Sequence, residues 1–328
     1  MMADTHMTNL QIRDTNREFR PSYLKLLETG ELEKRKALAF RHLQGCDLCA
    51  RYCQVNRLQT LKGVVCHTGE QAVVYSYSPH HGEEGPLRGR RGSGTLFFSW
   101  CNLRCLYCQN WEISQKGMGE TVTTETLADM MLDLQAQGCH NINFVSPSHV
   151  VAQIIAAVHL AALRGLHLPL VYNTGGYDSP EALALLDGII DIYMPDMKYG
   201  DSSIARKYSK VRDYFERNRA AVKEMHRQVG DLVLDENGVA LRGLLVRHLV
   251  FPENLAGTGK VLAFIADVLS TNTFVNLMDQ YRPCYRANEF PPLNRRPTIT
   301  EYDDALAVAK KLGLHRLDQG NRRGPLRL

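Results

Sequence analysis

The chain has 328 residues, 44% of them hydrophobic and 23% charged, with a formal net charge of +4. This length accommodates one large α/β domain with a smaller appendage, and the composition is that of a globular protein. The mild charge gives no argument for a nucleic-acid partner, no apolar run reaches the length of a membrane span, and the polar opening MMADTHMTNLQIRDTNREFR lacks the apolar core of a signal peptide, so a cytoplasmic protein is expected.

Residues 1–20 are polar and expected to be poorly ordered. Residues 22–44 read as a helix carrying Leu24, Leu27, Leu32, Leu38 and Leu43 among many charges. A cysteine-rich stretch follows, GCDLCARYCQVNRLQTLKGVVCHTG, and then QAVVYSYSPHHGEEGPLRGRRGSG, a strand-like run passing into a Gly/Arg loop. A regular alternation begins next. Strands are predicted at 95–99, 141–145, 168–172, 189–194, 244–250 and 273–278. The helices between them fall near 124–137, 149–163, 180–187, 211–229 and 259–270. The long one presents Val211, Tyr214, Phe215, Val222, Met225 and Val229 on one face. Asn237-Gly238 suggests a hairpin turn ahead of the fifth strand. Strands alternating with helices imply a parallel sheet with right-handed crossovers. Six such units make the fold class α/β, a partial (β/α)6 TIM-like barrel with an N-terminal cysteine-rich, metal-binding extension. The expected divisions are 1–90 for the helical and cysteine-rich extension, 91–298 for the barrel, and 299–328 for a C-terminal helix and tail.

Nine cysteines in a reducing compartment are metal ligands more readily than disulfides. Cys101, Cys105 and Cys108 stand in TLFFSWCNLRCLYCQNW with Cys-x3-Cys-x2-Cys spacing, and Tyr107 directly precedes the last thiol. They follow an apolar strand, on a loop where an α/β protein places its site. Three thiolates on an iron–sulfur cubane leave one iron without a protein ligand. A zinc site completed by a distant ligand, or three structural thiols, are the other readings of such a run. The run resembles the signature of the radical S-adenosylmethionine (SAM) superfamily. That resemblance implies a 4Fe–4S cluster on Cys101, Cys105 and Cys108, SAM chelated at the open iron, and an aromatic Tyr107 beside the cofactor. It also implies a partial barrel, an electron donor such as flavodoxin or ferredoxin, and hydrogen abstraction from a substrate.

Cys46, Cys49, Cys53 and Cys66 form Cys-x2-Cys-x3-Cys-x12-Cys, which suits either a tetrahedral zinc or a second iron–sulfur cluster. His67 is a further candidate beside the last thiol, although a histidine there is commonly a loop residue. From Leu48-Cys49-Ala50-Arg51-Tyr52-Cys53 through the Cys101 run to about Pro297, the chain resembles proteins related to the pyruvate formate-lyase activating enzyme. This implies a glycine Cα–H of a partner protein as one substrate. A small molecule or peptide is a second possibility, and a non-catalytic iron–sulfur carrier or binding module a third.

Polar residues just past the strand ends point at the chamber of such a barrel. The second strand ends in Ser146-Pro147-Ser148-His149, where the superfamily usually carries a Gly-Gly-Glu-Pro-like stretch for the amino group of SAM. Asn143 or Ser146 is the substitute, and Ser148 is equally suited to capping the next helix. Asn173-Thr174-Gly175-Gly176 resembles the Asp-Thr-Asn-Gly turn of activating enzymes, with glycines for close approach to a ligand or for a plain strand–helix turn. Asp196-Met197-Lys198 resembles their Asp-x-Lys element, Asp196 serving the ribose or a cation and Lys198 the cofactor carboxylate, against the alternative of a solvated ion pair. Arg247, in an apolar strand, needs an anionic partner, and the family has an arginine near the cofactor in the corresponding strand. His248 falls on the opposite face as a satisfied histidine. Gln280–Tyr285 suits a chamber wall, while Cys139 and Cys284 read as packing thiols. Arg88, Arg90 and Arg91, and Arg322, Arg323 and Arg327 in the tail, read as solvated clusters.

Overall fold

A computed structural model describes residues 19–318. The expectations for the first residues and for the tail arginines Arg322, Arg323 and Arg327 lie outside this range. In chain order the elements are α1 (Ser22–Glu28), α2 (Glu31–His42), β1 (Ala72–His80), α3 (Gly85–Arg88), β2 (Ser93–Phe98), α4 (Trp111–Lys116), β3 (Glu120–Val122), α5 (Thr124–Ala136), β4 (Ile142–Val145), α6 (Val151–Leu163), β5 (Leu170–Thr174), α7 (Pro180–Leu186), β6 (Ile192–Pro195), α8 (Ser202–Ser209), α9 (Tyr214–Val229), β7 (Val233–Leu234), β8 (Ala240–Leu249), α10 (Thr258–Phe264), β9 (Phe274–Met278) and α11 (Ile299–Lys311).

Strands β2, β4, β5, β6, β8 and β9 run parallel in that order and form the six-stranded partial barrel. The free edge of β2 pairs antiparallel with β1, and β1 in turn with β3. The alternation along each strand separates two apolar layers. Leu96, Phe144, Tyr172, Tyr193, Leu244 and Val246 face outward into the main core with the buried faces of the helices. Val171, Ile192, Met194 and Leu245 face the interior.

The single helix expected over 22–44 is broken at Gly30, whose φ of +70° suits a residue without Cβ. The helix expected from 149 starts at Val151, because Pro147–His149 forms a tighter turn. The apolar run at 189–194 is out of phase with its strand. Ile189 closes a turn onto the Leu186 carbonyl at 2.8 Å, and β6 begins only at Ile192.

The Gly/Arg loop after β1 does more than connect. His80 pairs with Ser93, so the loop lies at the N-terminal end of the parallel strands. There α3 turns inward: Leu87 is fully buried among Val171, Ile192, Met194 and Leu245, and Asn141 Nδ2 holds its carbonyl at 2.8 Å. The segment closes the lower mouth of the barrel as a plug, while Arg88, Arg90 and Arg91 remain exposed as expected.

Candidate functional site

Strand β2 delivers the three-cysteine loop above the C-terminal ends of the sheet. The loop is fixed by backbone bonds to α8: Leu106 N–H donates to Tyr208 O at 2.8 Å and Arg104 N–H to Ser209 O at 3.1 Å. Trp100 turns the chain at a φ of +68°. A Cβ on Gly117 would stand 2.1 Å from its indole, so that position requires glycine. Each sulfur has a polar neighbour. Leu103 N–H reaches Cys101 Sγ at 3.4 Å, Cys105 Sγ lies 3.0 Å from Ser209 Oγ, and Cys108 Sγ lies 3.1 Å from Ser114 Oγ. Burial pushes the Cys101 thiol up to about 12 and raises Cys108 as well, so ligation by either releases a proton.

Among the described residues no three His, Cys, Asp or Glu side chains converge on the position of one metal ion. A cubane does not ask for that convergence, because each thiolate holds a different iron corner. The donor set fits such a cluster: three thiols on one loop, each beside an N–H or hydroxyl able to stabilise an anionic sulfur.

Opposite the loop stand the ends of β5, β6 and β8. Asp196 accepts from Lys198 Nζ at 2.5 Å with one oxygen and from Arg247 Nε at 2.9 Å with the other. Arg247 also donates Nη2 to Asn173 Oδ1 at 2.6 Å. The side chains of the triad are only 14–19% exposed, so this is a buried charge network rather than a solvated pair. Burial alone would raise the Asp196 carboxyl, but Arg247 and Lys198 hold it below its usual value. Burial would lower Lys198, and Asp196 more than offsets that. A cavity of about 240 Å³ joins the two walls, with Cys105, Tyr107 and Cys108 on one side and Asp196, Lys198 and Arg247 on the other. Leu249, Phe251, Met278 and Gln280 complete it, which brings the segment after the sixth parallel strand to the chamber. The Tyr107 ring packs edge-on to Phe251 at 4.8 Å between centroids, and its hydroxyl accepts from Tyr199 at 2.7 Å.

Other candidates carry bonds within the protein. The Thr174 hydroxyl donates to Asp178 at 2.7 Å, accepts from Gly176 N–H at 3.1 Å and lies 2.9 Å from Ser148 Oγ, so its capacity is filled. Ser148 thus serves this network and does not cap α6, whose N-cap is Val150. Gly176, at a φ of +73°, approaches protein: a Cβ would lie 2.1 Å from Asn218 Nδ2 and 2.3 Å from the Asp196 carbonyl. Ser146 turns the end of β4 at a φ of +59°. Asn143 is wholly buried on the inner face of β4, with its amide toward the Glu83 carboxyl and no donor to its carbonyl oxygen. His248 is satisfied between Met197 O at 2.6 Å and Thr258 Oγ1 at 2.9 Å, and burial pushes it down to about 4.

The second cysteine set lies beside the first. Cys46, Cys49, Cys53 and Cys66 all line one small cavity with Arg57, Asn102 and His149. Arg57 is nearly inaccessible and donates Nη1 to Cys46 Sγ at 3.4 Å, Nε to Thr68 O at 2.7 Å and Nη2 to His149 O at 2.8 Å. A bond from the Cys53 thiol, together with Arg57, lowers Cys46, while burial pushes Cys49 up to about 12. Burial and Arg57 bring His149 down to about 3, a neutral imidazole. Arg51 Nε reaches Asn102 O at 2.7 Å, which ties this arm to the residue after Cys101. His67 stands outside the set, exposed and 4.5 Å from the Trp100 ring.

Sequence reasoning passed over Glu83 and Glu84. The plug carries both into the barrel beneath Arg247. Asn276 Nδ2 donates to Glu84 Oε1 at 2.9 Å, and the other oxygen of this buried carboxyl faces the Glu83 carboxyl. Burial pushes Glu83 up to about 7; the facing Glu84 adds to the rise, and Arg247 and Asn143 oppose it. No helix of the described residues is long and apolar enough to cross a membrane.

A family model described as the Radical SAM superfamily matches residues 95–236, from β2 through the three-cysteine loop to the hairpin before β8. The Uncharacterized protein MJ0674 of Methanocaldococcus jannaschii is 32% identical over 298 residues, covering 89% of this chain and 82% of that protein. Among solved structures, HydG, a maturase of the FeFe-hydrogenase, aligns with a TM-score of 0.45 at 11% identity over 66% of this chain and 48% of that one. SuiB of Streptococcus suis, bound to precursor peptide SuiA, gives 0.41 at 12% over 65% and 45%. TYW1 with a lysine-pyruvate adduct bound gives 0.41 at 11% over 66% and 72%. The chain thus spans about half the length of HydG and of SuiB.

Proposed function

The chain belongs to the radical SAM superfamily, and on that premise we propose an enzyme in which Cys101, Cys105 and Cys108 hold a 4Fe–4S cluster with SAM at its open iron. When bound, that pair would supply one-electron reductive cleavage of SAM and, through it, removal of a hydrogen atom from the substrate. The observation that carries this reading is the single cavity shared by Cys105, Cys108, Asp196, Lys198 and Arg247.

The side chains of this protein do the binding. Lys198 presents an ammonium to the carboxylate of the cofactor, and Asp196, held ionised by two cations, accepts from ribose hydroxyls. Arg247 and Asn173 keep Asp196 in place. Tyr107, Tyr199, Phe251 and Tyr281 form an aromatic wall that excludes water from the reacting centre. The reductant is an external donor of the flavodoxin or ferredoxin type. Likeness to activating enzymes supports a glycine Cα–H of a partner protein as the hydrogen source. The plug that closes the chamber from below, with two carboxyls facing in, favours instead a small molecule or the end of a peptide.

Cys46, Cys49, Cys53 and Cys66 hold a second metal in this reading, a second iron–sulfur cluster, which spreads its ligands over several irons, or a zinc, on which the four thiols would have to draw together. Their common cavity and the buried Arg57 cation support it, since four thiolates bring a net negative charge that a guanidinium offsets.

The test is electron paramagnetic resonance of the dithionite-reduced, reconstituted protein. Addition of SAM changes the spectrum of the reduced cubane if SAM joins the open iron. An unchanged spectrum in protein with its full iron complement refutes the assignment.

A further inference from the structure

Five charged side chains meet inside the barrel, and their balance is uneven. Asp196 is paired with Lys198 and Arg247. Glu83 and Glu84 rise from the plug on the lower side of the same Arg247, which feels both carboxyls. Two cations therefore face three carboxyls. Lys198 and Arg247 both pair with Asp196, and Glu83 and Glu84 share only the longer-range charge of Arg247.

The polar groups around this floor are also incomplete. Glu84 is buried with one oxygen on Asn276 and the other facing only the Glu83 carboxyl. Asn143, wholly buried, turns its amide toward the Glu83 carboxyl, and its carbonyl oxygen has no donor. Buried polar atoms in folded proteins are paired as a rule, and a group of them left open around one spot marks a place for a polar ligand. Most of the open capacity is for accepting hydrogen bonds: the free oxygen of Glu84, the carboxyl of Glu83 and the carbonyl of Asn143.

We propose that Glu83, Glu84 and Asn143 form a subsite for the ammonium group of an amine-bearing substrate, on the plug side of Arg247, across that side chain from the cavity beneath the three-cysteine loop. An ammonium has three N–H donors and one positive charge, which match three acceptors and one uncompensated carboxylate. The Asn143 amide N–H faces the Glu83 carboxyl and holds that acceptor toward the subsite. Because burial and Glu84 raise Glu83 to about 7, that carboxyl carries a proton below neutral pH, shared with Glu84, and an ammonium takes the place of this proton. The substrate class is then a molecule or peptide end carrying a primary amine. This rests on the radical reading for its chemistry but not for its binding test.

SAM carries an ammonium of its own, so the test separates the two sources. The probes are n-propylamine and its neutral isostere propan-1-ol, titrated into reconstituted, SAM-loaded protein without oxygen and followed by saturation-transfer NMR at about pH 8, where a primary amine is charged. The amine is expected to bind saturably and roughly tenfold or more tightly than the alcohol, the effect of one charge-assisted hydrogen bond. Glu83→Gln and Glu84→Gln, each nearly isosteric, are expected to remove that preference. Equal binding of the two probes to the native protein, which needs no variant, overturns the proposal and leaves the floor a structural plug. So does a loss of SAM affinity in the variants while amine preference persists, which would assign the carboxyls to the cofactor. Failure of the native protein to form 5′-deoxyadenosine while the amine preference stands counts against the radical reading instead.

Discussion

Asp196→Asn is the most informative single substitution in the binding wall. The carboxylate makes two charge-assisted bonds, 2.5 Å to Lys198 and 2.9 Å to Arg247, among side chains 14–19% exposed. An asparagine keeps the shape but offers one oxygen and one N–H₂. If its oxygen stays on Arg247, its N–H₂ faces the Lys198 ammonium, donor against donor; the flipped amide sets the same conflict against Arg247. One cation is left without a partner either way. Removing one partner of a buried pair costs about 3–5 kcal/mol, and the residual exposure places this case near the lower end, about 3 kcal/mol. That corresponds to a fall in melting temperature of roughly 6 °C. The assay is urea denaturation without oxygen, native against variant, at about pH 7 and about pH 3.5. Asp196 is depressed in the folded state, so the stability it contributes is present above the unfolded carboxyl range and lost as pH falls through the folded value. The deficit of the variant therefore shrinks at the lower pH. A deficit below about 1 kcal/mol at neutral pH, the value of an exposed pair, would refute the buried network.

Glu83 gives the opposite sign. Its folded value, about 7, lies above the ordinary carboxyl value, so its contribution to native stability falls as pH rises from about 4.5 to about 7 and is constant above, alongside a smaller fall from Asp191, raised to about 6. Glu83→Gln removes the Glu83 share of that slope and gains on the order of 2 kcal/mol over the native protein at about pH 8, read by the same denaturation; parallel pH profiles would contradict the placement of this side chain. Gly176→Ala combines a φ of +73° with a Cβ 2.1 Å from Asn218 Nδ2, and is expected to cost more than about 2 kcal/mol. A change within about 0.5 kcal/mol would mean that the turn relaxes freely. Cys49→Ser is expected to lose the second metal while retaining about four irons per chain on the three-cysteine loop, by elemental analysis of reconstituted protein. Metal content equal to that of the native protein would remove the four-thiol assignment.

The barrel was legible because its signals are local. Parallel strands buried on both faces read as apolar runs, and the helices between them show a helical period with caps such as Thr123 and Ser179. Boundaries slipped where an apolar run outlasted its strand, as at Ile189 and Ile190, which are buried but belong to a turn. The first cysteine run and Arg247 were legible because thiol spacing and a charge within an apolar strand are rare patterns. The plug was not. Its sequence, HHGEEGPLRGRRG, has the composition of a solvated loop, and nothing local says that Leu87 reaches the lumen or that two glutamates follow it inside. The one available hint was Asn143, a polar residue in the middle of NINFV, which like Arg247 called for a partner in the interior. Thr174 and Gly176 matched a family turn, but their contacts are made with Asp178, Ser148 and Asn218, which no spacing rule connects to them.

The most direct test of the central claim is formation of 5′-deoxyadenosine. Native protein and Cys105→Ala are reconstituted with iron and sulfide without oxygen, given SAM and dithionite, and assayed by chromatography. The account predicts product from the native protein and none from the variant. A native protein that carries a complete 4Fe–4S cluster yet forms no 5′-deoxyadenosine would contradict it.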